Sequence, residues 1–349
     1  MIVVYDFDLF AILYLQKEVY MGIKIIGTGM YVPDIIVTND DLATIVDTSD
    51  EWITQRTGIK TRHLTNGELT FQMGAKAAKE AIENAGIMPE DIDMILGTTM
   101  TPDCFMPSMA CLVGHELNIN NAVCMDLNAA CTGYIYALDT ARSFLETGNY
   151  KNILIVSSEV MSRTIDFNDR ATCVLFGDGA GATVVTKSEG LYASNLGGNP
   201  TGALKLYAKL PAPNHPFKKG DSDWGNPDVN AYIDEAIRME GDEVYKFATT
   251  VMPKAVKNVV EKAGISLEQL DMLIPHQANV RILLSANKRL KMPFEKIYVG
   301  IEEYGNISSA CIPLAMHKLS KENKLKSGDK ICIVGFGAGL TYGSVVFEW

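Results

Sequence analysis

The stretch Ala85-Gly86-Ile87-Met88-Pro89-Glu90-Asp91-Ile92-Asp93-Met94-Ile95 has a second copy in Ala263-Gly264-Ile265-Ser266-Leu267-Glu268-Gln269-Leu270-Asp271-Met272-Leu273, and from residue 85 to residue 263 the offset is 178. At that same offset Ile153-Leu154-Ile155-Val156 falls on Ile331-Cys332-Ile333-Val334, and Asn128 falls on Asn306. Short apolar strands resemble one another cheaply, but unrelated segments held at one spacing are the signature of a repeat. We read an internal duplication of one α/β unit. Each copy places a helix (Met73 to Ala85; Lys254 to Ala263) before a buried strand, and later another helix and another apolar strand. Helices alternating with near-continuous apolar strands imply sheets covered on both faces. The halves are expected to meet near residues 187 to 200.

Length agrees with two packed halves, since 349 residues exceed the usual single-domain size. Hydrophobic residues make up 47% and charged residues 21%, a globular mix able to bury a large core. Lys plus Arg total 31 against 42 Asp plus Glu, and the formal charge of -11 argues against nucleic acid as a main partner. The seven Cys are scattered without a C-x-x-C pair or a nearby His at zinc-ligand spacing, so they read as reduced cytosolic thiols and no metal is expected. In the first twenty residues Asp6 and Asp8 interrupt the apolar run and no basic residue precedes it, unlike a signal peptide. The run is also too short to span a bilayer. A cleaner strand begins at Met21, so residues 1 to 20 are read as an upstream extension or a misassigned start, in a soluble, cytoplasmic protein with no membrane partner. From Thr201 to Val229 the chain is irregular, punctuated by Pro211, Pro213, Pro216, Gly220, Gly225 and Pro227, and reads as a long surface loop serving as lid or pocket wall.

Cys131 sits in Asp126-Leu127-Asn128-Ala129-Ala130-Cys131-Thr132-Gly133, where a strand (Ala122 to Leu127) gives way to a helix expected from about Thr132 to near Gly148. A thiol at a strand-to-helix turn feels the positive end of the helix, which lowers its pKa and favours the nucleophilic thiolate. The alternative, a small buried Cys, is the reading given to Cys104, Cys111, Cys124, Cys173, Cys311 and Cys332. His276 ends an apolar strand in Leu273-Ile274-Pro275-His276-Gln277-Ala278-Asn279, where active-site side chains of α/β folds gather; it is one of five His and belongs to the half opposite Cys131. Asn306 occupies the slot in the second half that Asn128 occupies in the first, which brings Cys131 and Asn306 to symmetry-related positions. An Asn beside Gly is also ordinary turn chemistry. The clusters Gly177-Asp178-Gly179-Ala180-Gly181 and Gly335-Phe336-Gly337-Ala338-Gly339 precede β-rich runs rather than helices, so neither fits a dinucleotide fingerprint. Such a turn facing Cys131 would aim backbone N–H groups at a thioester oxygen.

Taken together, IIGTGMYVPD, DTSDEWITQRTGI, DLNAACTG, DFNDRATCVLFGDGAGA, LIPHQANVRI, YGNISSACIPLA and GFGAGLTYGS run in order through residues 21 to 349, and this combination resembles the β-ketoacyl-acyl-carrier-protein synthase III family, condensing enzymes that start type II fatty acid synthesis. The resemblance implies a thiolase-like αβαβα layered fold of two duplicated halves, 21–190 with the nucleophile and 191–349 with the His and Asn, and a homodimer without a cofactor. It implies that Cys131 accepts the acyl group while His276 and Asn306 promote malonyl decarboxylation. Trp52 and Arg170 resemble residues that sandwich the adenine of coenzyme A, Arg56 resembles a contact to its phosphate end, and Asn279 and Phe336 resemble residues of the active-site region. The family's Gly-Gly-Gly turn reads Gly337-Ala338-Gly339 here; an oxyanion hole made by the backbone N–H groups of Cys131 and Ala338 needs no particular side chain at 338. Met106 matches a position that reaches across the dimer into the acyl pocket.

The expected chemistry has two halves. Cys131 takes the acyl group of an acyl-CoA, and malonyl carried on acyl carrier protein then loses CO2 while neutral donors, His276 Nε2–H and the Asn306 amide, hold the enolate oxygen. An acidic carrier protein meeting a chain of charge -11 needs a basic landing site. Arg281, Lys288, Arg289 and Lys291 recur along a helix expected just after His276, with Lys246 in addition. A solvated helix face is the alternative. A condensing enzyme of polyketide or other secondary metabolism would keep the same Cys, His and Asn. A papain-like cysteine hydrolase and a noncatalytic CoA-binding paralogue are the remaining readings.

Overall fold

The computed structural model describes residues 21–210 and 235–349. The expectations for residues 1 to 20, and for the proline-rich part of the loop from Pro211 onward, lie outside the described residues. Among the described residues, nine strands build the two main sheets. The first joins β1 (Met21–Tyr31), β2 (Met94–Thr98), β3 (Val123–Leu127), β4 (Asn152–Glu159) and β5 (Gly179–Glu189) in the order β1-β5-β4-β2-β3. The second joins β6 (Tyr192–Gly198), β7 (Met272–Pro275), β8 (Lys330–Gly337) and β9 (Thr341–Glu348) in the order β6-β9-β8-β7. In each sheet three neighbouring strands are antiparallel in succession (β1·β5·β4; β6·β9·β8) and the next pairing is parallel (β4·β2; β8·β7). Where β3 lies parallel to β2, the second sheet has a single parallel bridge from Leu273 to Ile297. Register carries the repeat into three dimensions: Met94 pairs with Ile153, and Met272 with Ile331.

Among the described residues, six helices cover these sheets: α1 (Thr70–Ala85), α2 (Met109–Glu116), α3 (Gly133–Glu146), α4 (Gly241–Lys262), α5 (Val280–Leu290) and α6 (Cys311–Lys321). Strand periodicity assigns them to layers, because successive side chains face opposite sides. Ile153 and Ile155 of β4, and Ile331 and Ile333 of β8, point inward to a core shared with Tyr134, Leu138 and Leu145 of α3 and Ile312, Met316 and Leu319 of α6. Their neighbours Leu154 and Val156 face α1 and α2, while Cys332 and Val334 face α4 and α5. The result is the layered order helix, sheet, helix pair, sheet, helix that the resemblance implies. Each inward Ile or Leu contributes about 1.5–3 kcal/mol on leaving water, so the middle layer anchors α3 and α6, the two helices whose first residues build the site.

Two boundaries differ from expectation. The helix expected from Lys254 starts at Gly241 and runs through Pro253. Pro253 is buried beside Met252, Ala255 and Val256, whose packing on the second sheet offsets the roughly 3 kcal/mol that an internal proline costs. The start of the irregular loop is ordered too: Pro200–Lys205 forms a 3-10 helix and Leu206–Tyr207 pairs with Arg238–Met239. Among the described residues no helix is long and apolar enough to cross a membrane.

Candidate active site

The two helices of the middle layer start from matching turns. Asn128 Oδ1 accepts the Ala130 N–H at 3.2 Å, and Asn306 Oδ1 accepts the Ser308 N–H at 2.9 Å. Ala130 and Ser308 both take left-handed backbone, with φ of 46° and 47°. A 3-10 turn follows in each, Ala130–Thr132 and Ser308–Ala310, before α3 and α6 begin. Left-handed backbone costs a non-glycine residue about 1–2 kcal/mol; here the Asn side chain holds it in place. Cys131 and Ser309 are thus counterparts.

Cys131 is 8% exposed. Ser308 Oγ, from the other turn, donates to its Sγ at 3.5 Å. The sequence leads us to expect a thiol made acidic by the helix start, and the structure corrects this. Burial pushes the Cys131 thiol up to about 11, outweighing the hydrogen bonds from Ser308 and from its own backbone N–H. Loss of water dominates because Ser308 and Gly337 of the second half close over the turn.

His276 follows β7, and its N–H extends the ladder to the Val334 carbonyl at 2.8 Å. The next residue fixes this segment: Gln277 Nε2 donates to the Pro275 carbonyl and its Oε1 accepts the Gly300 N–H. The imidazole packs edge-on against Phe336, with centroids 5.7 Å apart, and its Nδ1 is buried without a hydrogen-bond partner. Burial lowers its pKa to about 3, so the ring is neutral at pH 7. Asn306 is pinned by backbone bonds to Leu175 and Gly177. With Oδ1 committed to its turn, its NH2 is the polar end left for an occupant.

Cys131, His276, Asn306, Phe336 and Gly337 line one cavity of about 480 Å³, together with Trp52, Arg56, Asn279 and Arg281. Trp52 and Arg56 lie on the helix Asp50–Thr57, which Ser49 caps through the Trp52 N–H. Arg170 does not line the cavity; its guanidinium lies 4.9 Å over the Trp52 ring, with Arg56 5.6 Å from the same ring. A base between Trp52 and Arg170 needs about 7 Å, two contact distances of roughly 3.5 Å, so Arg170 has to lift to admit one. Asn279 caps α5 by accepting the Arg281 N–H at 2.9 Å, a structural task besides facing the cavity. Ala338 stands in the loop joining β8 to β9, next to Gly337, and does not itself line the cavity. Met106 is 82% exposed and also lies outside it.

The basic residues divide. Arg281 lies at the cavity with its guanidinium 5.8 Å from the Tyr245 ring. Lys288 and Arg289 stand in the last turn of α5, Lys291 is its left-handed C-cap, and exposed Lys246 pairs with Glu243 at 2.7 Å. Two residues escaped the sequence reading. Ser308 matches Ala130 at the repeat offset, a signal present in the sequence; Glu159, a buried carboxyl at the end of β4, has no local signal. Among the described residues no group of three or more His, Cys, Asp or Glu is placed to hold a metal.

Two duplicated sheets around a paired helix layer, with a cysteine at one helix start and an asparagine turn at the other, define a thiolase-type architecture. The family described as 3-oxoacyl-[acyl-carrier-protein] synthase III matches residues 125–200, and its C-terminal part matches residues 260–349. A curated relative from Clostridium acetobutylicum, a beta-ketoacyl-[acyl-carrier-protein] synthase III, is 48% identical over 94% of this chain and 99% of its own. The crystal structure of 3-oxoacyl-[acyl-carrier-protein] synthase III from Aquifex aeolicus superposes with a TM-score of 0.86 at 44% identity, covering 94% of this chain and 100% of that one. The priming β-ketosynthase of the R1128 polyketide pathway superposes at 0.84 with 34% identity, covering 94% and 96%. The chain belongs to the β-ketoacyl-acyl-carrier-protein synthase III family.

Proposed function

We propose that this protein transfers an acyl group from acyl-CoA to Cys131 and condenses it with malonyl-acyl-carrier protein, releasing CO2 and a β-ketoacyl-carrier protein. The observation that carries the proposal is the convergence of a buried thiol, a neutral imidazole and an asparagine amide on one cavity that Trp52 and Arg56 also line. In the first step the Cys131 sulfur attacks the thioester carbonyl, and CoA leaves as a thiol with the proton that Cys131 gives up. Backbone N–H groups at Cys131 and Ala338 receive the oxyanion. In the second step CO2 departs from the malonyl group, and His276 and Asn306 donate to the enolate oxygen. The carbanion attacks acyl-Cys131, whose sulfur leaves and is reprotonated. A neutral imidazole suits this role, because it offers an N–H without the cost of burying a cation.

The carrier protein, acidic by this reading, lands on the side of α5 that carries Lys288 and Arg289, and two chains pair so that Met106 of one reaches the acyl pocket of the other. The setting is the cytoplasm. The test is intact-protein mass spectrometry with a panel of acyl-CoAs, followed by malonyl-carrier protein. His276→Ala and Asn306→Ala are expected to load Cys131 and to lose condensation by about a hundredfold or more; normal condensation in either would overturn the assignment. A second reading, priming of a polyketide, is favoured by the likeness to the R1128 enzyme. The same panel separates the two by which primers load.

A further inference from the structure

Ser309, the counterpart of Cys131, is bonded to a buried carboxyl. Its Oγ lies 2.7 Å from Glu159 Oε1 and 3.3 Å from the Thr98 carbonyl oxygen. Glu159 is 0% exposed. Its Oε2 accepts from Thr101 Oγ1 at 2.8 Å, the Met100 N–H at 3.0 Å and Thr99 Oγ1 at 3.2 Å. No cation hydrogen-bonds to it among the described residues, and the titratable groups that feel it are the thiols of Cys131 and Cys311.

The two carboxyl oxygens of Glu159 meet different partners. Thr101 Oγ1 already accepts the Val160 N–H, and Thr99 Oγ1 accepts the Thr101 N–H, so both hydroxyl hydrogens are free to point at Oε2. That oxygen is the acceptor end. On the other side Ser309 has one hydrogen and two acceptors in reach. The arrangement that puts a hydrogen in both contacts has Glu159 Oε1–H donating to Ser309 Oγ, and Ser309 donating to the Thr98 carbonyl.

We propose that Glu159 is a positioning residue, kept as a neutral carboxylic acid, that locks the 306–310 turn to the end of β2 and so sets Asn306 and Ser308 against Cys131. The proposal rests on the reading that Asn306 serves condensation. Neutrality matters at this place, since an anion within electrostatic reach of Cys131 would oppose the negative charge that builds on sulfur.

The experiment compares full-length Glu159→Gln, Ser309→Ala and Asn306→Ala for melting temperature, Cys131 loading, condensation, and the pH profile of Cys131 alkylation by iodoacetamide. Glu159→Gln keeps a neutral group that can donate to Ser309, so condensation stays within about threefold of wild type and the alkylation profile does not move. Ser309→Ala still loads but loses condensation by roughly tenfold or more. An alkylation profile shifted to lower pH in Glu159→Gln would show that the carboxyl had been ionised, and wild-type condensation in Ser309→Ala would show that nothing was locked; either overturns the proposal. Should Ser309→Ala fail to fold, Glu159→Gln carries the test alone. If Asn306→Ala condenses normally, the functional reading itself fails; if it does not while Ser309→Ala does, only the positioning role falls.

Discussion

Gly337 lies so close to Cys131 that a Cβ built on it would sit 2.9 Å from the Cys131 nitrogen and 3.1 Å from its Cβ. The neighbouring atom is backbone of the helix start, which cannot swing aside. This contact joins the last hairpin of the second half to the reactive turn of the first.

Replacing Gly337 by alanine therefore displaces either the turn or the hairpin. Gly337→Ala is expected to fold with a stability loss of about 1–3 kcal/mol and to load acyl groups roughly a hundredfold more slowly. Loading followed by mass spectrometry, beside a melting curve, checks both. Unchanged loading would mean the hairpin does not serve the oxyanion.

Because the Cys131 thiol is pushed up to about 11, it keeps its proton through neutral pH. Alkylation by iodoacetamide should accelerate steadily as pH rises from 7 toward that value. Cys131→Ala should abolish acyl-enzyme formation altogether. Cys311, the other buried thiol at the site, is held by the Ile307 N–H and pushed up to about 12, so it offers no substitute. A plateau near neutrality would contradict the burial argument.

His276 gives a signature in stability. Its imidazole titrates near 3 in the folded chain and near 6.5 when exposed, so between these values the unfolded state binds a proton that the native state refuses. Native stability is whole above 6.5 and declines as pH falls toward 3, at up to about 1.4 kcal/mol per pH unit. His276→Gln should flatten that decline in melting temperature. Part of the slope will survive, because burial lowers His317 as well.

Charge reversal at Lys288 and Arg289 tests the proposed carrier-protein contact without entering the cavity, whereas Arg281 lines it. The doubly reversed variant should raise KM for malonyl-carrier protein by about tenfold at low salt and leave acylation by acyl-CoA intact. The difference should fade as ionic strength shortens the Debye length to about 8 Å and below. Equal KM values at low salt would reduce these cations to a solvated face.

The offset of 178 was legible because the Ala-Gly-Ile turns, the Asp-Met strand starts and Asn128 with Asn306 are alike in both halves, and with it came the layered fold and one cavity shared by Cys131 and Asn306. The same offset also links Cys131 to Ser309, but the side chains differ there, so the pairing follows from the spacing and not from matching letters. The helix start at Cys131 could be read locally; its burial could not, since residues 308 and 337 supply it. Glu159 needed the folded chain for the same reason, its partner lying 150 positions away. Arg170 was readable as a neighbour of Trp52 only by resemblance, and its resting place on that ring follows from side-chain packing.

Burial of Cys131 also bears on damage. At neutral pH burial holds this thiol in its protonated form, and the thiolate is the form that peroxide converts to sulfenic and higher acids. An idle enzyme with an exposed, ionised cysteine would erode with each oxidant encounter. Here the sulfur rests as a thiol shielded from water, so the packing that closes over the reactive turn also guards it against oxidants.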